Sequence, residues 1–386
     1  PRICVRYECV PMRFIKHVYK IHTYTQEGRL FEGKTPASAF LNSSYDGSFI
    51  AGLMELRYIQ SLPVERIINY FESHGFTLKK PTAHKLIEKA SSLFENLYKC
   101  IRQTALSDPY KAADETYYKI LVPEKNSKGK GVRKGYLWVV VGINTRMIYL
   151  LYDDGSRSER VILNELGSCK GIIQSDGYSP YRKLESDAYP NITRIPCLQH
   201  IKRKFIDCGE KDPDAKRIVE LINALYQNEH KHKVGVEGWT VEQNLMHRKK
   251  YAPDILGEIK DVLDEIEERG DLLPKSELQE AITYLRNEWN AVVDIFNYGD
   301  TYLDNNMVER MNRYISLSRK NSLFFGSHKG AERGAILYTI ALTCRMHKVN
   351  LFEYLTDVIN RTAEWQPNTP IEKYRELLPD RWEKAN

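Results

Sequence analysis

Three runs decide the fold: Thr116-Tyr117-Tyr118-Lys119-Ile120-Leu121-Val122, Lys134-Gly135-Tyr136-Leu137-Trp138-Val139-Val140-Val141-Gly142-Ile143-Asn144-Thr145, and Met147-Ile148-Tyr149-Leu150-Leu151-Tyr152. Each is rich in the β-branched and aromatic residues that suit a pleated surface. The junction Asn144-Thr145 before Arg146 is short enough for a hairpin, and Asp153-Asp154-Gly155 closes the third strand. The period then alternates. Ser158 to Leu166 reads as a helix, Gly171 to Gln174 as a short buried strand, Pro180 to Leu184 as a helical turn, Ile192 to Ile195 as a strand, and Leu198 to Ile206 as a basic helix. Three hairpin-connected strands followed by alternating helix and strand make a mixed α/β unit.

Outward from this unit, residues 1–45 are Tyr-rich and punctuated by Gly, with β-like runs at Arg13-Phe14-Ile15 and His17-Val18-Tyr19. Cys4, Cys9, His17 and His22 are zinc-ligand types, but their central spacing is short for a zinc finger. Residues 46–110 turn helical, with Phe49, Ile50, Leu53, Met54 and then Val64, Ile67, Ile68, Phe71 at i, i+3, i+4. After Ser73-His74-Gly75, Thr82 is expected to cap a third helix with Ala83, Leu86, Ile87 and Ala90 on its inner face. That order suits a helix-turn-helix followed by a linker helix, with Lys79, Lys80, Lys85 and Lys89 as candidate DNA contacts; a plain bundle shares the pattern. The core itself spans 111–205 and resumes at 301–350, around a helical acidic insertion at 206–300. A C-terminal helix and tail follow at 351–386.

No apolar run among the 386 residues approaches the roughly 18 to 20 that a membrane helix needs, and no signal peptide is visible. Seven cysteines without a disulfide framework suit a reducing compartment, so a cytoplasmic protein is expected. The net charge is +6, unevenly spread: residues 1–110 hold 15 Lys+Arg against 10 Asp+Glu, and residues 206–300 hold 12 against 21. A basic body interrupted by an acidic block points to a polyanionic partner for the body.

The β-β-β-α-β-α-β-α order matches a ribonuclease H-like fold, in which the first and fourth strands are neighbours. Asp114, at the mouth of the first strand, and Asp176, just after the fourth, can then approach one another. Glu309 in Asp304-Asn305-Asn306-Met307-Val308-Glu309-Arg310 is the natural third acid, although Asn306-x-x-Glu309 also has capping-box spacing. Glu115, Asp153, Asp154 and above all Glu332 compete. Three such carboxylates are the hard oxygen ligands that a pair of Mg2+ ions takes beside a phosphate.

Five blocks in order carry a resemblance: Ala113-Asp114-Glu115-Thr116, Gln174-Ser175-Asp176-Gly177-Tyr178, Cys197-x-x-His200-x-Lys202-Arg203-Lys204-Phe205, Asp304-Asn305-Asn306-x-x-Glu309-Arg310, and Arg319-Lys320-Asn321-Ser322-Leu323-Phe324-Phe325-Gly326-Ser327. Together the chain resembles the insertion-sequence-66 family of bacterial transposases. The resemblance implies a DDE transposase, active as a polynucleotidyl transferase, with Asp114, Asp176 and Glu309 as catalytic metal ligands for two Mg2+ or Mn2+ ions. It implies double-stranded DNA, both transposon ends and target, as partner, with accessory proteins of the same element. A homodimer on bacterial, nucleoid-associated DNA is expected, since two ends must be paired. Lys202, Arg203, Lys204, Arg310, Arg313, Arg319 and Lys320 are candidate phosphate contacts. Cys197 and His200 are candidates for a structural zinc site, with Cys208 nearby. The family's paired Cys-x2-Cys modules are not matched near His22, which puts an N-terminal zinc ribbon in doubt. The alternatives are a non-catalytic DNA-binding descendant of a transposase, or a ribonuclease H-like nuclease without strand transfer.

Overall fold

The computed structural model describes residues 6–383 apart from 9–10, 35, 37, 41–42, 126–128, 130, 210–211, 232–233, 236–237 and 367. In chain order the elements are β1 (Thr23–Gln26), β2 (Arg29–Glu32), α1 (Gly47–Met54), α2 (Val64–Ser73), α3 (Lys80–Leu93) and α4 (Glu95–Ser107). Next come β3 (Tyr110–Leu121), β4 (Val132–Gly142), β5 (Ile148–Leu151), α5 (Glu159–Leu166), β6 (Gly171–Ser175), the single turn α6 (Ser179–Arg182), β7 (Ile192–Pro196) and α7 (Leu198–Asp207). The remaining helices are α8 (Pro213–Lys231), α9 (Val241–Arg269), α10 (Glu277–Ile295), α11 (Asn306–Asn321), α12 (His328–Met346), α13 (Leu351–Ala363) and α14 (Ile371–Glu376). The chain forms two compact units, one of residues 101–316 with 326–332, the other of 1–100, 317–325 and 333–386.

The first unit is mixed α/β, built on a five-stranded sheet in the order β5-β4-β3-β6-β7. β3, β4 and β5 pair antiparallel, while β6 runs parallel to β3 and β7 parallel to β6. Leu137, Trp138, Val139, Val140 and Val141 on β4 are all fully buried. Successive residues point to opposite faces, so both faces of this strand are covered, which is why it reads as a continuous apolar run rather than an alternation.

β3 begins at Tyr110, six residues before the alternation that marks it in the sequence. Its hidden start is Tyr110-Lys111-Ala112-Ala113, all buried, and neither Lys nor Ala favours strands. Lys111 tolerates burial because its Nζ donates to the carbonyls of Asp108 and Lys170. Asp114 therefore sits inside β3 rather than at its mouth. Downstream, α7, α8 and α9 pack in succession, and α10 returns to pack on both α7 and β7.

The second unit is largely helical. β1 and β2 form an exposed hairpin across Glu27-Gly28, whose φ values of 50° and 74° are those of a two-residue hairpin turn. The runs at 13–15 and 17–19 are not strands; Phe14 instead packs against Phe49, Phe71 and Phe76, with ring centroids 4.6 Å apart in the last pair. α1 lies so close to α13 that a Cβ on Gly47 would meet Asn360 Oδ1 at 2.5 Å. α3 starts at Lys80, ahead of the expected cap Thr82. Pro81 explains this, since its missing N–H and fixed φ suit a first helical turn. Cys4 and Cys9 lie outside the described residues.

Candidate functional site

Ala112 and Gln174 are the last paired residues of the parallel β3–β6 ladder. Two residues further on stand Asp114, still within β3, and Asp176, the residue just after β6. The two-residue period of a strand puts both on the face shared by Ala112 and Gln174. Asp114 is pushed up to about 8, first by burial, then by the negative charges of Glu115 and Asp176. Asp176 is thus close enough for its charge to oppose ionisation of Asp114.

Each acid is held from behind. Asp114 Oδ1 accepts the Glu115 N–H at 2.8 Å, and Oδ2 accepts the side-chain amide of Asn312 at 2.6 Å. Asp176 Oδ1 accepts the Tyr178 N–H at 3.1 Å. Behind Asp176 the fully buried Arg194 pairs with Glu288 and Glu185, and donates to Ser175 Oγ at 3.1 Å and to the Asp176 carbonyl at 2.7 Å. Arg194→Ala is expected to destabilise the protein by about 3–5 kcal/mol, because Glu288 would be left buried and unpaired; an unchanged midpoint in urea unfolding would refute this. The next residue, Gly177, donates its N–H to Tyr284 Oη on α10 at 2.8 Å. Only glycine fits there, since a Cβ would lie 2.5 Å from that oxygen.

α11 supplies the third side. Its start differs from the capping-box reading: Asn305 O accepts the Glu309 N–H, and Asp304 Oδ1 caps Asn306 N at 3.1 Å. Asn305 uses its own amide to donate to the Ala113 carbonyl at 3.0 Å, which ties the helix start to β3 beside Asp114. The helix then presents Asn312 to Asp114, while Glu309, one turn earlier, has its Oε1 3.6 Å from His200 Nδ1. Cys197, the N-cap of α7, completes this neighbourhood: its Sγ, His200 and Glu309 have ligand atoms within 4.8 Å of one another. The Cys197 thiol is pushed up to about 12, chiefly by burial and also by Glu309 and Asp304. Cys208 is at the other end of α7, eleven residues or about 16 Å away along the helix, and is no part of this group.

The competing acids have neighbours of their own. Glu115 is paired with Arg157, which also lies 4.1 Å over the Tyr178 ring, and Tyr181 donates to its other oxygen. Asp153 pairs with Arg160 at 3.0 Å, Asp154 lies 3.9 Å from His328, and the charge of exposed Glu332 is felt at Tyr152. Of the basic candidates, Arg203, Arg310 and Arg313 are exposed, and Lys202 and Lys204 lie over the rings of Tyr226 and Tyr284. In the helical unit Lys79, Lys85 and Lys320 are exposed and Arg319 is half-buried; Lys80 pairs with Glu65 at 2.7 Å, and Lys89 lies 5.3 Å over Phe40. Sequence reading missed Asn312, Arg157, Arg194 and Tyr284. Asn312 alone carried a signal, standing one helical turn after Glu309.

A mixed sheet with two half-buried carboxylates where its parallel pair ends, and a helix docked on one of them, defines an α/β protein with a site of hard oxygen donors. The family model described as "Transposase IS66 family" matches residues 42–333, and the chain belongs to that family. Membership gives it a transposase role, with DNA as its partner. It is also similar to the uncharacterized proteins y4jD, y4hP and y4qI of Sinorhizobium fredii (strain NBRC 101917 / NGR234). Identities are 25%, 24% and 25%, over 92%, 98% and 95% of this chain and 70%, 70% and 69% of theirs. No helix among the described residues is long and apolar enough to cross a membrane.

Proposed function

We propose that the chain is a DDE transposase whose α/β unit is a ribonuclease H-like core, and that Asp114, Asp176 and Glu309 hold two Mg2+ or Mn2+ ions. The carrying observation is the Asp114 carboxyl, pushed up to about 8 by burial beside Glu115 and Asp176. Such a pair is unfavourable unless a cation is shared between the acids. The donor set fits: two half-buried acids, and a third whose Oε1 is buried with no hydrogen-bond partner among the described residues. The strand order, with three antiparallel strands followed by two parallel ones, supports the core assignment. Ions bound there would supply Lewis acidity to the attacking and leaving oxygens of a phosphodiester.

The chain's own residues do the positioning. Asn312 and the Glu115 N–H fix the Asp114 carboxylate, Arg194 fixes the Asp176 backbone, and Arg157 neutralises Glu115 so that it does not compete. Arg203, Arg310 and Arg313 are exposed near these elements to take DNA phosphates. Cleavage at transposon ends, joining of the 3'-hydroxyl to target, a dimer pairing the two ends, and help from accessory proteins complete the reading. It is tested by growing crystals with Mn2+ and locating the anomalous peaks. Two peaks between Asp114, Asp176 and Glu309 are expected; peaks at Glu332 instead would reject the third ligand, and none at the Asp114–Asp176 pair would reject the site.

The α1–α3 region is proposed to bind transposon-end DNA as a helix-turn-helix. Lys85→Ala should weaken end binding and reduce the salt slope by about 1, the loss of one phosphate contact. An unchanged slope in salt-titrated binding assays would remove α3 from the interface.

A further inference from the structure

We propose that Cys197, His200 and Glu309 form a binding site for one zinc-class divalent ion, with three protein ligands and an open fourth position. The ligand atoms already lie within 4.8 Å of one another, and His200 Nδ1 is 3.6 Å from Glu309 Oε1. Tetrahedral zinc, with bonds of about 2.0–2.3 Å, sets its ligands roughly 3.3–3.6 Å apart, so closing the site takes only small rotamer shifts. Two of the three atoms, His200 Nδ1 and Glu309 Oε1, are buried with no hydrogen-bond partner among the described residues. Buried polar atoms are rarely left so, and one cation satisfies both. The third atom, Cys197 Sγ, accepts the Asn305 N–H at 3.2 Å, a contact that favours a metal-bound thiolate. Sulfur, imidazole and a single carboxylate select zinc or cobalt over magnesium.

The site shares Glu309 with the proposed catalytic pair, and this consequence rests on that reading. Zinc bound at Cys197 and His200 competes with the catalytic ions for the Glu309 carboxylate and so draws it away from Asp114 and Asp176. Zinc then acts as an inhibitor that magnesium does not readily displace.

The test is Co2+ titration of the full chain, followed by its visible and near-ultraviolet absorption, with Zn2+ competing. A thiolate-to-cobalt charge-transfer band is expected at one ion per chain. It should persist in a C4S/C9S variant, vanish in Cys197→Ser, and form at least roughly tenfold more weakly in His200→Ala and Glu309→Gln, the loss seen even for outer-shell partners. Because His200 and Glu309 are partly exposed, those two variants remain informative if Cys197→Ser misfolds. A band unchanged in His200→Ala and Glu309→Gln, or lost in C4S/C9S, overturns the proposal. The readout involves no DNA cleavage, so zinc binding stands or falls independently of the DDE reading. If zinc binds but fails to inhibit cleavage, only the shared role of Glu309 is lost.

Discussion

Asp114→Asn should remove Mg2+-dependent cleavage of a duplex carrying the transposon end, by about a thousandfold or more, while end binding persists. The substitution keeps the shape and one acceptor oxygen but deletes the charge on the most buried acid of the site. Metal ions contribute several kcal/mol of transition-state stabilisation in such reactions, and about 4 kcal/mol corresponds to a thousandfold. Asp176→Asn and Glu309→Gln should do the same. Cleavage that survives in Glu309→Gln and disappears in Glu332→Gln would transfer the third role to Glu332. Loss of end binding alongside cleavage in all three variants would mean that these acids support the fold rather than the chemistry.

The second large effect is on stability. Between about pH 4 and the folded Asp114 value of about 8, the folded chain retains a proton that the unfolded chain has released. Raising the pH across that window therefore takes stability away, by at most about 1.4 kcal/mol per unit for one group. Glu115, also raised, chiefly by burial, acts in the same direction. Metal-free protein in chelator should accordingly show a falling unfolding midpoint from pH 5 to pH 8. Mg2+ or Mn2+ should restore it most at the upper end, where the carboxylates are ionised, and Asp114→Asn should flatten the slope. A midpoint that rises over this range in chelator would contradict the raised Asp114 carboxyl.

How much of this could be read from the chain depended on periodicity. β4 and β5 announce themselves, because buried strands rich in Val, Leu and Ile resemble little else. The first half of β3 did not: a lysine and two alanines conceal it, since Lys111 is satisfied by two carbonyls that only the folded chain brings to it. For the same reason Asp114 looked like a strand entrance when it is a strand interior. The acids at 114 and 176 were legible from strand order, because parallel register converts sequence position into proximity. The supports were not. Arg194, Glu288 and Tyr284 come from elements separated by long stretches of sequence, and no local spacing joins them. The capping-box reading failed by one residue, because Asn305 gives its side chain to Ala113 and leaves the helix start to Asp304.

The acidic helices between the second and third carboxylates read from the sequence as an insertion. Tyr284 and Glu288 on α10 tie these helices to the sheet, since one holds the loop after Asp176 and the other neutralises the arginine behind it. A shortened chain joining β7 and α7 directly to α11 would therefore lose more than bulk. It would unpin the turn at Gly177 and strand Arg194 without its buried counter-ion, so minimal versions of this protein should retain α10 even where α8 and α9 are replaced.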